Sequence, residues 1–270
     1  MQIGNREFNL KNNTYIMGIL NITPDSFSDG GSYNTVEKAL WRTGRMIEEG
    51  ADIIDIGAES TRPGHESITA EEELERLIPV LTAIKKEYDV PVSIDTYKAE
   101  TAGEAIRYGA DLINDIWGLK YDNGEMAEVI AGSNRPCVLM HNKKEAVYKD
   151  LIGDTITELG ETLSIAREKG IASDKIILDP GVGFGKTYED NLRVLNRLKD
   201  FNVLGYPMLL GASRKSVIGN ALNLPVDERL EGTLVTTILA AQAGYSFVRV
   251  HDIKENRRTL DMYYHILNLF

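Results

Sequence analysis

Eight short apolar runs, each of strand length, recur along the chain and alternate with segments of helical periodicity. Runs that are apolar throughout are typical of parallel strands, because helices bury both faces of a parallel sheet. Eight strand–helix units in 270 residues predict a (β/α)8 TIM barrel, with a doubly wound sheet as the alternative. The runs are Ile16–Leu20, Ile53–Ile56, Val92–Ile94, Leu112–Ile113, Cys137–Met140, Ile176–Leu178, Met208–Leu210 and Phe247–Val250.

The N-terminal residues precede the first of these runs. Gly4 and Asn5, between the apolar Ile3 and Phe8, predict a small hairpin that plugs the base of the barrel. The chain contains neither a linker nor a low-complexity tract, and we therefore expect residues 1–270 to form a single domain.

Charge and composition exclude some classes of partner. A net charge of −11 argues against nucleic acid as a ligand, because binding to phosphates requires a basic face. No run approaches the roughly 20 apolar residues of a membrane span. The N-terminal sequence lacks the apolar core of a secretory signal, and the single cysteine, Cys137, lies in an apolar run. We therefore expect a cytoplasmic protein with a reduced, buried thiol.

Polar residues follow nearly every apolar run. In a barrel these positions meet at one rim, the face that carries catalytic residues. A single carboxylate at a strand end usually caps a turn, but the same pattern at most strands indicates a ligand site. The residues are Asn21, Asp55, Asp95, Asn114, Asp115, His141, Asp179, Ser213, Arg214, Lys215, Arg249, His251 and Asp252.

These polar residues divide by charge into two predicted halves of the rim. Carboxylates and amides suit a heterocycle with several N–H donors, whereas cations suit a phosphate or pyrophosphate. Asp252 faces away from Arg249 and His251 and is interpreted as structural; His141 fits either a substrate contact or a structural hydrogen bond. The acidic half is Asp55, Asp95, Asn114, Asp115 and Asp179; the basic half is Arg62, Arg214, Lys215, Arg249 and His251.

The glycine-rich segment "DPGVGFGKT", from Asp179 to Thr187, follows the sixth run. It is not a Walker A loop, because Pro180 stands where that motif requires glycine. We predict a flexible rim loop that offers Phe184 to a substrate ring.

Motifs at these strand ends resemble those of the dihydropteroate synthase family. "MGILNITPDSFSDGG" and "DIGAESTRPG" are similar to its two signature segments. "SIDTYK", "INDIWG", "LMHN", "LDPGVGFGK", "GASRKS" and "FVRVHD" resemble the family's remaining motifs in the same order, from about Met17 to Asp252. The resemblance implies a TIM barrel that joins 6-hydroxymethyl-7,8-dihydropterin pyrophosphate to p-aminobenzoate and needs Mg²⁺. It also implies a homodimer.

The resemblance also implies roles for individual residues, and Asp95, Asn114, Asp179, Lys215, Arg249 and His251 would form the catalytic set. The pterin would be held by Asp95, Asn114, Asp179 and Lys215. The pyrophosphate would be held by Asn21, Thr61, Arg62, Arg249 and His251, with Asn21 also binding Mg²⁺. The p-aminobenzoate would be bordered by Arg62, Pro63, Phe184, Lys215 and Ser216.

The implied chemistry is an SN1-like loss of pyrophosphate followed by attack of the arylamine. A methylene cation must be shielded from water, so the loop "NITPDSFSDGG" is interpreted as a cover over the site. Its polar contacts would come from Asp25, Ser26 and Asp29, and its hinges from Gly30 and Gly31. The alternatives are a pterin-dependent methyltransferase, which has no need of the basic residues, and a catalytically inactive pterin-binding homologue.

Overall fold

The eight predicted strands form one parallel sheet that curls into a barrel in the computed structural model, which describes residues 1–23, 32–60 and 67–267. Its strands are β3 (Tyr15–Asn21), β4 (Ile53–Gly57), β5 (Val92–Asp95), β6 (Leu112–Asp115), β7 (Cys137–Met140), β8 (Ile176–Asp179), β9 (Leu209–Leu210) and β10 (Phe247–Val250). Strand order is β8-β7-β6-β5-β4-β3-β10-β9, and a parallel bridge between Leu178 and Met208 joins the two ends. The predicted (β/α)8 barrel is confirmed.

Helices cover the outside of the barrel between successive strands. Thr69 and Thr187 each begin a helix with a capping box. The threonine Oγ1 accepts from the backbone N–H three residues on, and the acidic side chain at that position accepts from the threonine backbone N–H. None of the helices in the described ranges combines the length and apolarity needed to cross a membrane. The helices are α1 (Ser32–Glu48), α2 (Ala70–Glu87), α3 (Ala99–Arg107), α4 (Glu125–Ser133), α5 (Leu151–Glu168), α6 (Tyr188–Asn196), α7 (Ser216–Leu222), α8 (Leu230–Gln242) and α9 (Ile253–Leu267).

The N-terminal residues form the predicted hairpin, from β1 (Gln2–Ile3) and β2 (Arg6–Glu7). Gly4 takes the positive φ of 58° that this tight turn requires. Ile3 and Phe8 are buried against one layer of the barrel interior, which closes its base. The strand residues of this layer are Met17, Ile53, Leu112, Val138, Ile177, Leu209 and Phe247.

Alternation along the strands determines what lies above this apolar layer. Side chains two residues apart share a face, so the next interior position is two residues further toward the carboxyl end. On four strands that position is Asp55, Asn114, Asp179 or Arg249. The residues between them, such as Ile54 and Ile113, pack outward in the helix-covered core. The fold therefore places a polar layer directly above an apolar floor.

Candidate active site

Arg249 lies between two buried carboxylates at the centre of the polar layer. Its Nε donates to Asp55 Oδ2 at 2.5 Å, and its Nη2 donates to Asp95 Oδ2 at 2.6 Å. Asn114 Nδ2 adds a longer bond to Asp55 Oδ2, at 3.3 Å. The predicted separation into acidic and basic halves is therefore wrong for Arg249. The physical reason is that buried carboxylates require a counter-ion close at hand.

Two carboxylate oxygens in this group retain unused acceptor capacity. Among the described residues, Asp55 Oδ1 and Asp95 Oδ1 are buried and have no hydrogen-bond partner. Burial raises the pKa of Asp95 from 3.8 to about 7, although the adjacent Arg249 guanidinium opposes the rise. Orphaned acceptors of this kind are costly unless a ligand satisfies them. The site is therefore suited to a ligand that presents N–H groups.

Asp179 and Lys215 form the adjoining part of the pocket, beside the bare backbone of Gly211. A Cβ at Gly211 would lie 3.5 Å from Asp179 Oδ2, 3.9 Å from Lys215 Nζ and 4.0 Å from Arg249 Cβ. Asp179 Oδ1 accepts from Gly181 N at 2.7 Å, which leaves Oδ2 toward the pocket. Burial lowers the pKa of Lys215 to about 8 and raises that of Asp179, and each charge opposes the other's shift.

An apolar wall borders these polar groups. Lys215 Nζ lies 4.5 Å from the centroid of the Phe184 ring, close enough for a cation–π contact. Phe184 and Trp117 pack in turn against three buried residues of the rim, Tyr97, Ile116 and Met140. A flat heterocycle with polar edges and apolar faces matches this combination of surfaces.

The glycine-rich loop that carries Phe184 is held by several side-chain hydrogen bonds, so the prediction of a flexible loop is wrong. Lys186 Nζ donates to Gly181 O at 3.1 Å and to Phe184 O at 3.2 Å, while Lys215 Nζ donates to Val182 O at 2.5 Å. Lys186 also contacts His141 Nδ1 at 2.8 Å. The ammonium groups of Lys186 and Lys215 thus bind three carbonyl oxygens of the loop backbone. Sequence reasoning missed Lys186, because it precedes a helix cap and looks like an ordinary surface residue.

The structure also resolves residues whose roles were open or assigned to the rim. His141 Nε2 contacts Glu158 Oε2 at 2.9 Å, which favours its structural reading. Asp115 faces outward and accepts from Trp117 N and Leu119 N, so it caps a turn rather than lining the pocket. Arg214 pairs with Asp252 outside the pocket, as expected for Asp252 but not for Arg214.

Three predicted site residues lie at the border of the polar layer. Asn21 ends β3, and a Cβ at Gly57 would lie 3.4 Å from its Oδ1 and 3.7 Å from Asp95 Oδ2. His251 follows β10 and contacts Ser213 Oγ. Ser216 is exposed at the first position of α7, directly after Lys215.

The remaining predicted residues fall in 24–31 and 61–66, which lie outside the described residues, and their assignments stay predictions. They are Asp25, Ser26, Asp29, Gly30, Gly31, Thr61, Arg62 and Pro63.

A separate cavity of about 480 Å³ lies outside the barrel between α5 and Tyr206. Its lining includes Gly160, Leu163 and Ile176, the first residue of β8, and therefore lies toward the amino ends of the strands. None of the polar-layer residues contributes to it. The polar layer, and not this cavity, contains the carboxylates and cations that could bind and transform a substrate.

The chain belongs to the pterin-binding enzyme family, which matches residues 17–251. Its relatives include a dihydropteroate synthase of Clostridium beijerinckii, 56% identical over 263 residues and 97% of each chain. A Bacillus subtilis dihydropteroate synthase is 54% identical, covering 96% of this chain and 90% of the relative.

Solved structures of dihydropteroate synthases share the fold over almost the full length. One from Clostridium difficile, determined in the presence of pteroic acid, is 47% identical with a TM-score of 0.91 and covers 98% of both chains. One from Yersinia pestis, in a sulfonamide drug complex, is 37% identical with a TM-score of 0.92 and covers 99% of both. The similarity therefore spans every strand end described above.

Proposed function

We propose that the chain is a transferase that catalyses the dihydropteroate synthase reaction. It joins 6-hydroxymethyl-7,8-dihydropterin pyrophosphate to p-aminobenzoate and gives 7,8-dihydropteroate and pyrophosphate. The observation that carries the proposal is the convergence of Asp95, Asn114, Asp179, Lys215 and Arg249 on one buried polar layer. The identity to dihydropteroate synthases along nearly the whole chain supports the same reaction.

The pterin ring is recognised by the acidic and amide groups. The aminopyrimidinone edge offers paired N–H donors, which the Asp179 carboxylate accepts, while Asp95 and Asn114 pair with the remaining ring groups. Lys215 donates to the ring carbonyl or N5, because only one of its three N–H donors is used by Val182 O in the described part of the chain. A ring without these donors leaves buried acceptors unpaired, which discriminates by about 10⁴-fold.

The pyrophosphate is held by Arg249 and His251, together with Thr61, Arg62 and Asn21. The bond between the methylene carbon and the pyrophosphate oxygen breaks with its electron pair on oxygen. Contacts from cationic groups strengthen as that charge develops, so they stabilise the transition state more than the bound substrate. The arylamine nitrogen then bonds to the methylene cation and loses a proton.

The p-aminobenzoate lies at the mouth of the pocket, bordered by Arg62, Pro63, Phe184, Lys215 and Ser216. Phe184 and Lys215 are in contact with each other, with the ammonium over the ring. This pair therefore separates the site of the arylamine from the deeper pterin layer. No protein nucleophile is needed, because the pterin stabilises the cation that the arylamine attacks.

Mg²⁺ is proposed as the cofactor, with Asn21 as its protein ligand. Within the described residues no three His, Cys, Asp or Glu side chains cluster to hold a metal ion. That arrangement fits Mg²⁺, which is often held by one or two protein oxygens together with substrate phosphates and water. When bound, the ion would neutralise charge on the departing pyrophosphate, and the Asn21 amide oxygen beside Asp95 would orient it.

Pyrophosphate release tests the proposed reaction. With both substrates and Mg²⁺ we expect one pyrophosphate for each dihydropteroate formed, because the two products arise from the same C–O bond. A coupled phosphate assay and product chromatography measure both quantities. Methyl transfer from a folate to a corrinoid without pyrophosphate would identify the methyltransferase alternative, and binding of pterin without turnover would identify an inactive homologue.

A homodimer through the last helices is also proposed. Val235 on α8 and Met262 on α9 are about 60% exposed, and Leu239, Ile266 and Leu267 extend the same apolar character. Sedimentation velocity should give twice the 30.0 kDa chain mass, and Val235→Asp should shift the protein toward monomer. A wild-type monomer at micromolar concentration would refute the proposal. The cytoplasmic location stays a prediction.

A further inference from the structure

Two pairs of adjacent residues join the end of β10 to the turn after β9. Ser213 Oγ lies 3.0 Å from His251 Nδ1 and accepts the His251 backbone N–H at 3.2 Å. In the next position Arg214 Nε donates to Asp252 Oδ2 at 2.9 Å, and its Nη2 pairs with Oδ1. We refer to these four residues as the strand-end clasp. It connects the segment that carries Lys215 to the segment that carries Arg249 and His251.

The turn that contains Ser213 and Arg214 is fixed by its own hydrogen bonds. Arg214 has a φ of +57°, a left-handed conformation that a non-glycine residue adopts only when its surroundings compensate for the strain. Its N–H donates to Thr233 Oγ1 at 3.0 Å, and its carbonyl accepts from Arg229 Nη1 at 2.9 Å. The backbone next to Ser213 is therefore fixed by contacts other than those with His251.

The hydroxyl proton of Ser213 determines which nitrogen of a neutral His251 carries hydrogen. Because the His251 backbone N–H must donate, Ser213 Oγ already acts as an acceptor. Ser213 is buried, and within the described part of the chain its hydroxyl has no other hydrogen-bond partner. Its single proton is therefore satisfied by donation to Nδ1. That leaves the imidazole proton on Nε2, at the opposite side of the ring.

We propose that Ser213 is a positioning residue that fixes the Nε2–H tautomer of His251, so that the imidazole presents an N–H donor to an oxyanion of the substrate. The assignment of that oxyanion to pyrophosphate rests on the proposed function. The assignment of the tautomer rests only on the hydrogen bonds of Ser213. An Nε2–H group aimed by a fixed hydroxyl donates without reorganisation as negative charge develops on the leaving group.

Nitrogen NMR of the histidine rings tests the tautomer directly. The chain has four histidines, so ¹⁵N-histidine labelling gives few ring signals, and His251→Asn assigns the one of interest. In wild-type protein with a neutral His251 ring, we expect a protonated-type shift at Nε2 and an unprotonated-type shift at Nδ1. A protonated Nδ1 in the neutral ring would overturn the inference, whether or not the protein forms dihydropteroate.

Ser213→Ala tests the positioning role, with Thr236→Val as the matched control. Each variant removes one buried hydroxyl, but the Thr236 hydroxyl donates to Thr233 O within α8, whereas the Ser213 hydroxyl bonds His251. We expect Ser213→Ala to mix the tautomers and to lower kcat/KM for the pterin pyrophosphate about ten-fold. Thr236→Val should keep the wild-type tautomer and kcat/KM within about two-fold.

A comparison of two ligands separates positioning from general damage to the pocket. Ser213→Ala should bind 6-hydroxymethylpterin, which lacks the pyrophosphate, as tightly as wild type does. Its affinity for pyrophosphate or the pyrophosphate-bearing pterin should fall. Equal weakening for both ligands, or an unchanged tautomer in Ser213→Ala, would show that Ser213 is only a structural residue.

Discussion

Replacing Arg249 with methionine should destabilise the protein by about 3–5 kcal/mol and abolish turnover, because the guanidinium is shared by two buried carboxylates. Asp55 is fully buried and Asp95 nearly so, and Arg249 bonds to both. Methionine retains the aliphatic volume but removes the cation that bonds to both carboxylates. Urea unfolding measures the stability, and the pyrophosphate assay measures turnover.

The same variant should respond to pH in a defined direction. Burial raises the folded-state pKa of Asp95 from 3.8 to about 7, so its contribution to stability is complete below pH 3.8 and is lost as pH rises through about 7. Without Arg249 the pKa rises further, so the variant should lose more stability than wild type between about pH 5 and 8.

Arg45→Met is the matched control for this experiment. Arg45 pairs with Glu48 and Glu49 on the outside of α1, where its side chain is 47% exposed, so its removal should cost less than about 1 kcal/mol. If Arg249→Met were as stable as Arg45→Met, the pairing of Arg249 with Asp55 and Asp95 would not hold in solution.

Replacing Asp179 with asparagine should lower kcat/KM for the pterin substrate at least about 10³-fold, because an amide N–H₂ would face the ring's own N–H donors. The fold should persist, since an asparagine oxygen can still accept from Gly181 N as Asp179 Oδ1 does. The pyrophosphate assay measures kcat/KM, calorimetric titration with a pterin measures the affinity, and circular dichroism measures the fold.

Asp111→Asn applies the same substitution at the opposite end of the barrel. Asp111 precedes β6 and accepts from Lys85 Nζ at 2.7 Å and Val92 N at 2.9 Å. We expect this variant to lose stability but to bind pterin within about three-fold of wild type, because it contacts none of the polar layer. Wild-type affinity in Asp179→Asn would remove Asp179 from the pterin site.

Much of the fold was predictable because buried parallel strands leave a strong local pattern. The apolar runs located all eight strands, and Gly4-Asn5 located the hairpin. Strand alternation also predicts that Asp115 faces outward if Asn114 faces inward. Asn114 and Asp115 are adjacent on β6, so only one of them can face the barrel interior, and the prediction that Asp115 lines the pocket conflicts with this alternation.

The pairing of charges was not predictable, because it depends on positions across the barrel. Arg249 lies 194 residues from Asp55 and 154 from Asp95 along the chain, and no local pattern specifies which carboxylate a distant cation reaches. Ser213 and His251 are 38 residues apart, and their contact follows from the register of two strand ends. Sequence motifs identified the participants, whereas only the closed barrel defines their partners.

A crystal structure with 6-hydroxymethyl-7,8-dihydropterin pyrophosphate would show most directly whether these side chains form one binding site. The pterin amino edge should lie within hydrogen-bonding distance of the Asp179 carboxylate, with the pyrophosphate beside Arg249 and His251. A pterin seated outside the barrel, for instance between α5 and Tyr206, with the Asp179–Lys215 region unaltered, would contradict the account.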